Sequence, residues 1–272
     1  MQNMTIGIIG AGNMGRALAA GLAATPGAAR ALVYDHSDDT RRRAAQQGLA
    51  VAKTLAELVA QADVLVLAVK PQHVAALARE IAAGVATGHP LIVSVAAGIR
   101  TDALRRWFHS DRVVRAMPNT PALIRAGATV LYAAADIAAD DRARVEALLQ
   151  PVSAVWWVAD EDLMDAATAV SGSGPAYFFL AIEALAAAGV QAGLPALIAS
   201  ELAAATALGA ARMAGAGTES PATLRRQVTS PNGTTERAIQ SFMDQGFMKM
   251  FERAVEAARA RAAELGEELG AV

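Results

Sequence analysis

A glycine-rich turn lies between a short apolar run and a helical pattern near the start of the chain. The run is Thr5-Ile-Gly-Ile-Ile9, the turn is Gly10-Ala-Gly-Asn-Met-Gly15, and residues 14–24 have a helical pattern. This G-x-G-x-x-G spacing predicts a tight turn at the first glycine, close approach of a pyrophosphate at the second, and close helix–strand packing at the third. Because the motif stands between a strand and a helix, it predicts a dinucleotide-binding fold.

Short β-branched runs alternate with helical patterns up to about residue 160. This alternation predicts an α/β domain over residues 1–160, a Rossmann-type, doubly wound parallel sheet with helices on both faces. The predicted strands are residues 5–9, 31–35, 64–68, 91–95, 113–116, 129–132 and 155–158, and the predicted helices are 14–24, 39–47, 72–83 and 137–150.

From residue 161 onward the patterns are helical, which predicts a second, all-α domain over residues 161–272. Two stretches, 176–188 and 197–208, are apolar on nearly every side. A helix without a polar face must be buried all round, so we expect a homodimer with these helices at its interface. The predicted helices are residues 161–170, 175–191, 195–214, 222–228, 234–245 and 247–269.

Composition excludes several function classes. The net charge of −2 over 272 residues gives no electrostatic basis for binding nucleic acid. The absence of cysteine excludes disulfides and thiolate chemistry and fits a reducing compartment. Residues 176–189 contain Glu183 and fall short of the about 20 strongly apolar residues of a membrane span. No signal peptide is recognised before the first strand, so we expect a cytoplasmic protein without a membrane partner.

Two features after the second predicted strand bear on the choice of cofactor. Asp35 ends that strand, where an acidic side chain can bind the adenine ribose hydroxyls and favour NAD. Arg41, Arg42 and Arg43 follow in the next helix, where an arginine can bind a 2′-phosphate. The alternative is that Asp35 caps a turn and the arginines form a solvated helix face. Residue types alone leave NAD and NADP both open.

Three further loops follow predicted strands. They are Ala68-Val-Lys-Pro71, Ala96-Ala-Gly98 and Met117-Pro-Asn-Thr-Pro121. Ligands of open α/β sheets bind at the carboxyl ends of the strands, so Lys70 is placed for a phosphate or ribose contact and Asn119 for the nicotinamide or substrate. Each loop taken alone is also compatible with an ordinary turn.

Two polar segments precede helices in the second half. Val228-Thr-Ser-Pro-Asn-Gly-Thr-Thr235 combines hydroxyls with a helix N-terminus, which suits a small carboxylate. The alternative is that Thr234 or Thr235 serves only as the helix N-cap. Ser171-Gly-Ser-Gly-Pro175 indicates either close approach of another backbone or simple helix initiation.

These motifs together resemble the pyrroline-5-carboxylate reductase family. Gly10–Gly15, Ala68–Pro71, Met117–Ala122, Ser171–Tyr177 and Val228–Thr235 occur in the family's order and cover nearly the whole chain. The resemblance implies reduction of 1-pyrroline-5-carboxylate to L-proline, the last step of proline synthesis, by hydride transfer from NADPH, with NADH as the alternative. It also implies homodimers that often assemble further.

The resemblance assigns site residues by motif and implies no metal. The implied catalytic residue is Thr235, whose hydroxyl would hydrogen-bond the imine nitrogen. Asn232 stands where many members have glycine, and asparagine also tolerates the left-handed backbone region. The implied substrate-binding residues are Ser230, Asn232, Gly233, Thr234 and Thr235. The implied cofactor-binding residues are Gly10, Ala11, Gly12, Asn13, Met14, Gly15, Asp35, Ala68, Val69, Lys70, Pro71, Ala96, Ala97 and Asn119.

The residue inventory fits reduction of an imine. All four histidines lie in the first half, and Lys249 is the single lysine of the helical half. A ketone or alcohol dehydrogenase usually needs a strong general acid or base, whereas a protonated cyclic imine is already electrophilic. A β-hydroxyacid dehydrogenase would need a lysine in residues 176–191, which contain none. A cofactor-binding sensor without turnover would not need the polar loop 230–235.

Overall fold

The computed structural model describes residues 4–270, which form two compact units. The first contains the chain up to Ser173 together with the segment from Ala257 onward, and the second contains Gly174–Glu256. The sequence places a domain boundary at residue 160. That boundary stays a prediction, and the compact units place the C-terminal segment with the first unit.

Seven strands form one sheet in the order β2-β1-β3-β4-β5-β6-β7. Each of the seven predicted strands is present, with ends that differ by up to two residues. The strands are β1 (Thr5–Ile9), β2 (Arg30–Tyr34), β3 (Val64–Leu67), β4 (Leu91–Ser94), β5 (Val113–Pro118), β6 (Gly127–Tyr132) and β7 (Ser153–Trp157).

Helices cover both faces of the sheet, so the predicted doubly wound fold is confirmed. Alternate side chains of a strand point to opposite faces. In β1, Ile6 and Ile8 contribute to one hydrophobic core, whereas Ile9 contributes to the other. The helices of this unit before residue 160 are α1 (Asn13–Ala23), α2 (Asp38–Gln46), α3 (Leu55–Gln61), α4 (Val74–Gly88), α5 (Thr101–Phe108) and α6 (Ala139–Leu149).

The expectation of a wholly parallel sheet is wrong at one position, because β5 and β6 pair antiparallel. Only residues 119–126 connect these strands, and they contain a short 3-10 helix, Thr120–Ile124. A parallel connection needs a crossover of a dozen or more residues, which this link cannot provide. The remaining pairs are parallel, including β6 with β7, which are joined through α6.

After residue 160 every element in the described part of the chain is helical, as predicted. A short helix, α7 (Leu163–Ala167), continues into one π-helical turn, Thr168–Gly172. The remaining helices are α8 (Gly174–Gln191), α9 (Ala196–Gly215), α10 (Pro221–Gln227), α11 (Thr234–Asp244) and α12 (Phe247–Gly270).

The helices between residues 163 and 215 expose much apolar surface. Leu163–Gln191 and Ala196–Gly215 are long and apolar enough to cross a membrane by length and composition, and only 6% and 11% of their most apolar windows are buried in the single chain. The expectation that this region falls short of a span is therefore wrong on length, because α7 and the π turn extend the helical stretch beyond residues 176–189. Such length and composition occur equally in helices that another chain covers.

The end of α12 packs on the turn after β4. Gly98 has a φ of +81°, and a Cβ on Gly266 would lie 3.0 Å from the Gly98 carbonyl oxygen. Leu269 packs against the second hydrophobic core. The C-terminal segment therefore supports the loop that contains Ala96 and Ala97.

Candidate cofactor and substrate sites

The glycine turn has the geometry that its spacing predicts. A Cβ on Gly15 would lie 1.9 Å from the Gly10 carbonyl oxygen, and one on Gly10 would lie 2.4 Å from the Ala68 carbonyl oxygen. Gly10 has a φ of +104°, in the region that glycine adopts readily. A Cβ on Gly12 would meet no protein atom within 4 Å. The first and third glycines are thus required by the fold itself, and the second leaves open space.

The N-terminus of α1 lies directly after this open position. Its N-cap is Gly12, which provides no side-chain hydrogen bond, and no acidic residue occurs in its first turn. The first-turn N–H groups and the helix dipole therefore favour an anion such as a pyrophosphate. Asn13 begins the helix, and its amide oxygen accepts a hydrogen bond from Arg16 at 3.1 Å.

Asp35 connects the glycine turn to the loop after β2. One carboxylate oxygen accepts a hydrogen bond from the Ala11 N–H at 2.8 Å, and the other accepts one from the Ser37 N–H at 2.9 Å. The N-cap of α2 is Ser37, whose hydroxyl accepts from the Thr40 N–H at 3.3 Å. The Asp35 carboxylate thus orders the glycine turn, and each oxygen retains a lone pair for a ribose hydroxyl.

The three arginines of α2 differ in their surroundings. Arg41 donates to the Asp35 carbonyl oxygen, pairs with Asp38 and lies 5.2 Å from the centre of the Tyr34 ring, with its side chain 22% exposed. Arg42 pairs with Asp39 and is 72% exposed. Arg43 is also exposed. Only Arg41 is held against the loop that contains Asp35.

A cleft of about 430 Å³ opens where β1, β2 and β3 end. It brings together six of the predicted cofactor residues. His36, Ser37 and His73 also line it and were not predicted. For His36 and Ser37 the available signal was their position just after β2, whereas His73 ends the 3-10 turn that follows β3. The predicted residues at this cleft are Gly10, Gly12, Asp35, Ala68, Val69 and Lys70.

The remaining predicted cofactor residues lie around this cleft or on the same sheet edge. Pro71 begins the 3-10 turn Pro71–His73, directly after exposed Lys70. Ala96 is buried, and its N–H donates to the Ser94 hydroxyl at 3.4 Å. Within the glycine turn Ala11 and Gly15 are buried and Met14 is half-buried, and Ala97 is half-buried after β4.

Asn119 is buried, with both ends of its amide side chain engaged within the protein. Its Oδ1 accepts from the Ala128 N–H at 2.9 Å, and its Nδ2 donates to the Ser171 carbonyl oxygen at 3.1 Å. Its relative exposure is 8%. The predicted contact with a nicotinamide or substrate stays a prediction.

The polar loop of the second unit is a tight turn before α11. Asn232 adopts a left-handed φ of 59°, and its N–H donates to the Glu236 carboxylate at 2.8 Å. Gly233 is the N-cap of α11, so neither threonine caps the helix, contrary to the alternative given by the sequence. A glycine offers no side-chain acceptor to the first-turn N–H groups. Thr235 is half-buried, while Ser230 and Thr234 are exposed.

Comparison with known proteins matches both parts of the chain. Residues 161–265 match a family model described as pyrroline-5-carboxylate reductase dimerisation, and residues 5–98 match one described as NADP oxidoreductase coenzyme F420-dependent. A pyrroline-5-carboxylate reductase of Pseudomonas aeruginosa is 48% identical over 99% of this chain and 100% of the relative. The chain belongs to the pyrroline-5-carboxylate reductase family.

Solved structures of this family are similar to the fold of this chain. A pyrroline-5-carboxylate reductase from Coxiella burnetii has a TM-score of 0.91 at 38% identity, covering 97% of this chain and 98% of the other. A pyrroline carboxylate reductase from Plasmodium falciparum with NADP bound has a TM-score of 0.84 at 28% identity, covering 98% and 99%. The exposed apolar helices α8 and α9 fall within the region that matches the dimerisation model.

Proposed function

We propose that this chain reduces 1-pyrroline-5-carboxylate to L-proline with NADPH, and with NADH as an alternative, as the last step of proline biosynthesis. The observation on which the proposal chiefly rests is the N-terminus of α11, where Gly233 leaves first-turn N–H groups to a carboxylate beside the Thr235 hydroxyl. A small acidic substrate and a reduced dinucleotide fit the two sites.

The cofactor fits the residues of the first unit. The space at Gly12 and the uncapped start of α1 suit a pyrophosphate, and Lys70 adds a positive charge at the same cleft. Asp35 offers acceptors to ribose hydroxyls, while Arg41 offers a donor to a 2′-phosphate. When bound, the reduced nicotinamide supplies the hydride.

The protein's own contribution to the chemistry is mainly orientation. The first-turn N–H groups of α11 would bind the substrate carboxylate, and the Thr235 hydroxyl would hydrogen-bond the imine nitrogen. Hydride adds to the C=N carbon, and the nitrogen, protonated from solvent, becomes the secondary amine of proline. Holding the reacting atoms in this arrangement supplies most of the rate, because the iminium is already electrophilic.

The test is oxidation of NADPH and of NADH in the presence of 1-pyrroline-5-carboxylate, followed by absorbance, for wild type and Thr235→Ala. We expect turnover in wild type and a fall in kcat of about 100-fold in the variant, in the range of a lost positioning or proton-transfer contact. The affinity for NADPH should change little, because Thr235 is not among the residues that line the cofactor cleft.

Thr235→Ser is the matched control, because it keeps the hydroxyl and removes only the methyl group. It should retain most of the activity. Wild-type turnover in Thr235→Ala would overturn the role given to Thr235, and a folded protein that binds NADPH without oxidising it would support the sensor alternative.

The enzymes of this family act on small molecules. We propose that the protein is a cytoplasmic homodimer that can assemble further. The apolar faces of α8 and α9 support the dimer, since Phe178, Leu180 and Leu197 are 67%, 66% and 70% exposed in the single chain. Sedimentation of the purified protein tests this proposal. A stable monomer at micromolar concentration would contradict it.

A further inference from the structure

The end of β5 and the residue that follows it approach the π-helical turn Thr168–Gly172 at two points. The Asn119 Nδ2 donates to the Ser171 carbonyl oxygen at 3.1 Å, across 52 residues of sequence. A Cβ on Gly172 would lie 2.5 Å from the Met117 methyl carbon. The two contacts come from the end of β5 and from the residue directly after it, so both join the π turn to the same part of the sheet edge.

The Ser171 carbonyl oxygen lacks its usual helical hydrogen-bond donor. In an α-helix the carbonyl of residue 171 accepts from the N–H of residue 175. Residue 175 is proline, which has no N–H. The Asn119 side chain supplies a donor to this carbonyl from outside the helix.

The π turn itself is a local irregularity of the helical path. Ser173 N–H donates to the Thr168 carbonyl at 2.8 Å, which is the five-residue spacing of a π-helix. Single π turns inside helices occur frequently at functional sites. The turn leads directly into Ser173 and Gly174, the middle of the glycine-rich segment Ser171–Tyr177.

We infer that Asn119 is a positioning residue, which sets the conformation of the Ser171–Gly174 segment through the Ser171 carbonyl. The inference rests on the proposed function only for its effect on turnover. Its structural part concerns the protein without ligands and can fail separately. The other end of the amide, bound to the Ala128 N–H, anchors Asn119 to the first residues of β6.

The discriminating variant is Asn119→Asp, because it has the same shape and keeps an acceptor for Ala128 while removing the donor to Ser171. Hydrogen exchange of backbone amides in the ligand-free protein should rise about tenfold in residues 168–174, with the sheet unaffected. Turnover should fall by a similar factor, while the dissociation constant of 2′,5′-ADP, which has no nicotinamide, should stay within twofold of wild type.

Pro175→Ala provides a second, independent arm. It restores an N–H that can donate to the Ser171 carbonyl, so Asn119→Asp should have a smaller effect on exchange and on kcat in that background. Such coupling between the two variants would support the inference. Additive effects, or unchanged exchange in ligand-free Asn119→Asp, would overturn it and would return Asn119 to a direct contact with the nicotinamide. If the wild-type protein does not oxidise NADPH in the presence of 1-pyrroline-5-carboxylate, that result would contradict the proposed function and leave the structural inference intact.

Discussion

Replacing Asp35 by serine separates two roles that the structure gives to one carboxylate. The carboxylate accepts the Ala11 N–H at 2.8 Å within the glycine turn, and it also lies at the cleft where a ribose would bind. The shorter serine side chain cannot reach Ala11 in the same way. The first role affects every dinucleotide equally, whereas the second distinguishes NADH from NADPH.

The expected sizes follow from the contacts. A hydrogen bond to a charged group contributes about 1.5–3 kcal/mol, and Asp35 is half-buried, so the lower end applies. Since about 1.4 kcal/mol is tenfold in affinity, the loss at Ala11 should weaken both cofactors about tenfold. NADH should lose about another tenfold through the ribose hydroxyls. NADPH should regain part of its loss, because a carboxylate about 4 Å from a 2′-phosphate repels it by ~1 kcal/mol in water.

The assay is a titration of the wild type and Asp35→Ser with NADH and with NADPH, followed by nicotinamide fluorescence, at one ionic strength. We expect the ratio of the NADH to the NADPH dissociation constant to rise by more than tenfold. Equal losses for the two cofactors would refute the ribose role and leave Asp35 as an organiser of the turn. Unchanged affinities for both would refute the contribution of the Ala11 hydrogen bond as well.

Three other predictions concern single groups. Gly12→Ala should keep the melting temperature of wild type, because its Cβ meets no protein atom, but it should weaken NADPH binding more than tenfold. Gly15→Ala should lower the melting temperature, because its Cβ would overlap the Gly10 carbonyl oxygen. Arg41→Ala should weaken NADPH more than NADH, with exposed Arg42→Ala as the unaffected control. Arg112 donates two hydrogen bonds to the Asp141 carboxylate, at 2.9 and 2.8 Å, and these lower the pKa of Asp141 below its ordinary value. Asp141→Asn should therefore reduce the unfolding free energy by about 1–3 kcal/mol at pH 7, and the difference should disappear as the pH falls below that lowered pKa.

Local signals in the sequence were sufficient for the strands and most helices. Buried parallel strands are short continuous apolar runs, and β1, β3 and β4 stood out for that reason. The more exposed β6 and β7 were recognised by their β-branched residues, with alternating burial in the structure. Two short helices, α3 and α5, were not predicted. A signal for α3 was present, because Thr54 and Glu57 have the spacing of a capping box, and the Thr54 hydroxyl accepts from the Glu57 N–H at 3.1 Å. The antiparallel pairing of β6 was not foreseeable, because the predicted strands 113–116 and 129–132 leave twelve residues between them, and only the longer observed strands shorten the link to residues 119–126.

The contacts that complete the candidate sites were not readable from the sequence, because they join residues far apart in the chain. Asp35 lies 24 residues from Ala11, and nothing in either neighbourhood specifies the hydrogen bond between them. The buried ion pair of Arg115 was equally unreadable from the sequence. Arg115 lies within the apolar run of β5 and is 3% exposed. Its partner Glu161, 3.2 Å away, also accepts from the Thr101 N–H. Such pairing is a property of the folded chain.

The exposed side chains of α8 also limit how a partner can cover it. Phe178, Phe179 and Leu180 are consecutive and are 67%, 64% and 66% exposed. Consecutive residues of an α-helix point about 100° apart, so these three span roughly 200° of its circumference. A flat partner surface covers one side of a helix and would leave at least one of them in water. We therefore expect the proposed homodimer to place partner helices on two sides of α8, with the helices of the two chains interleaved.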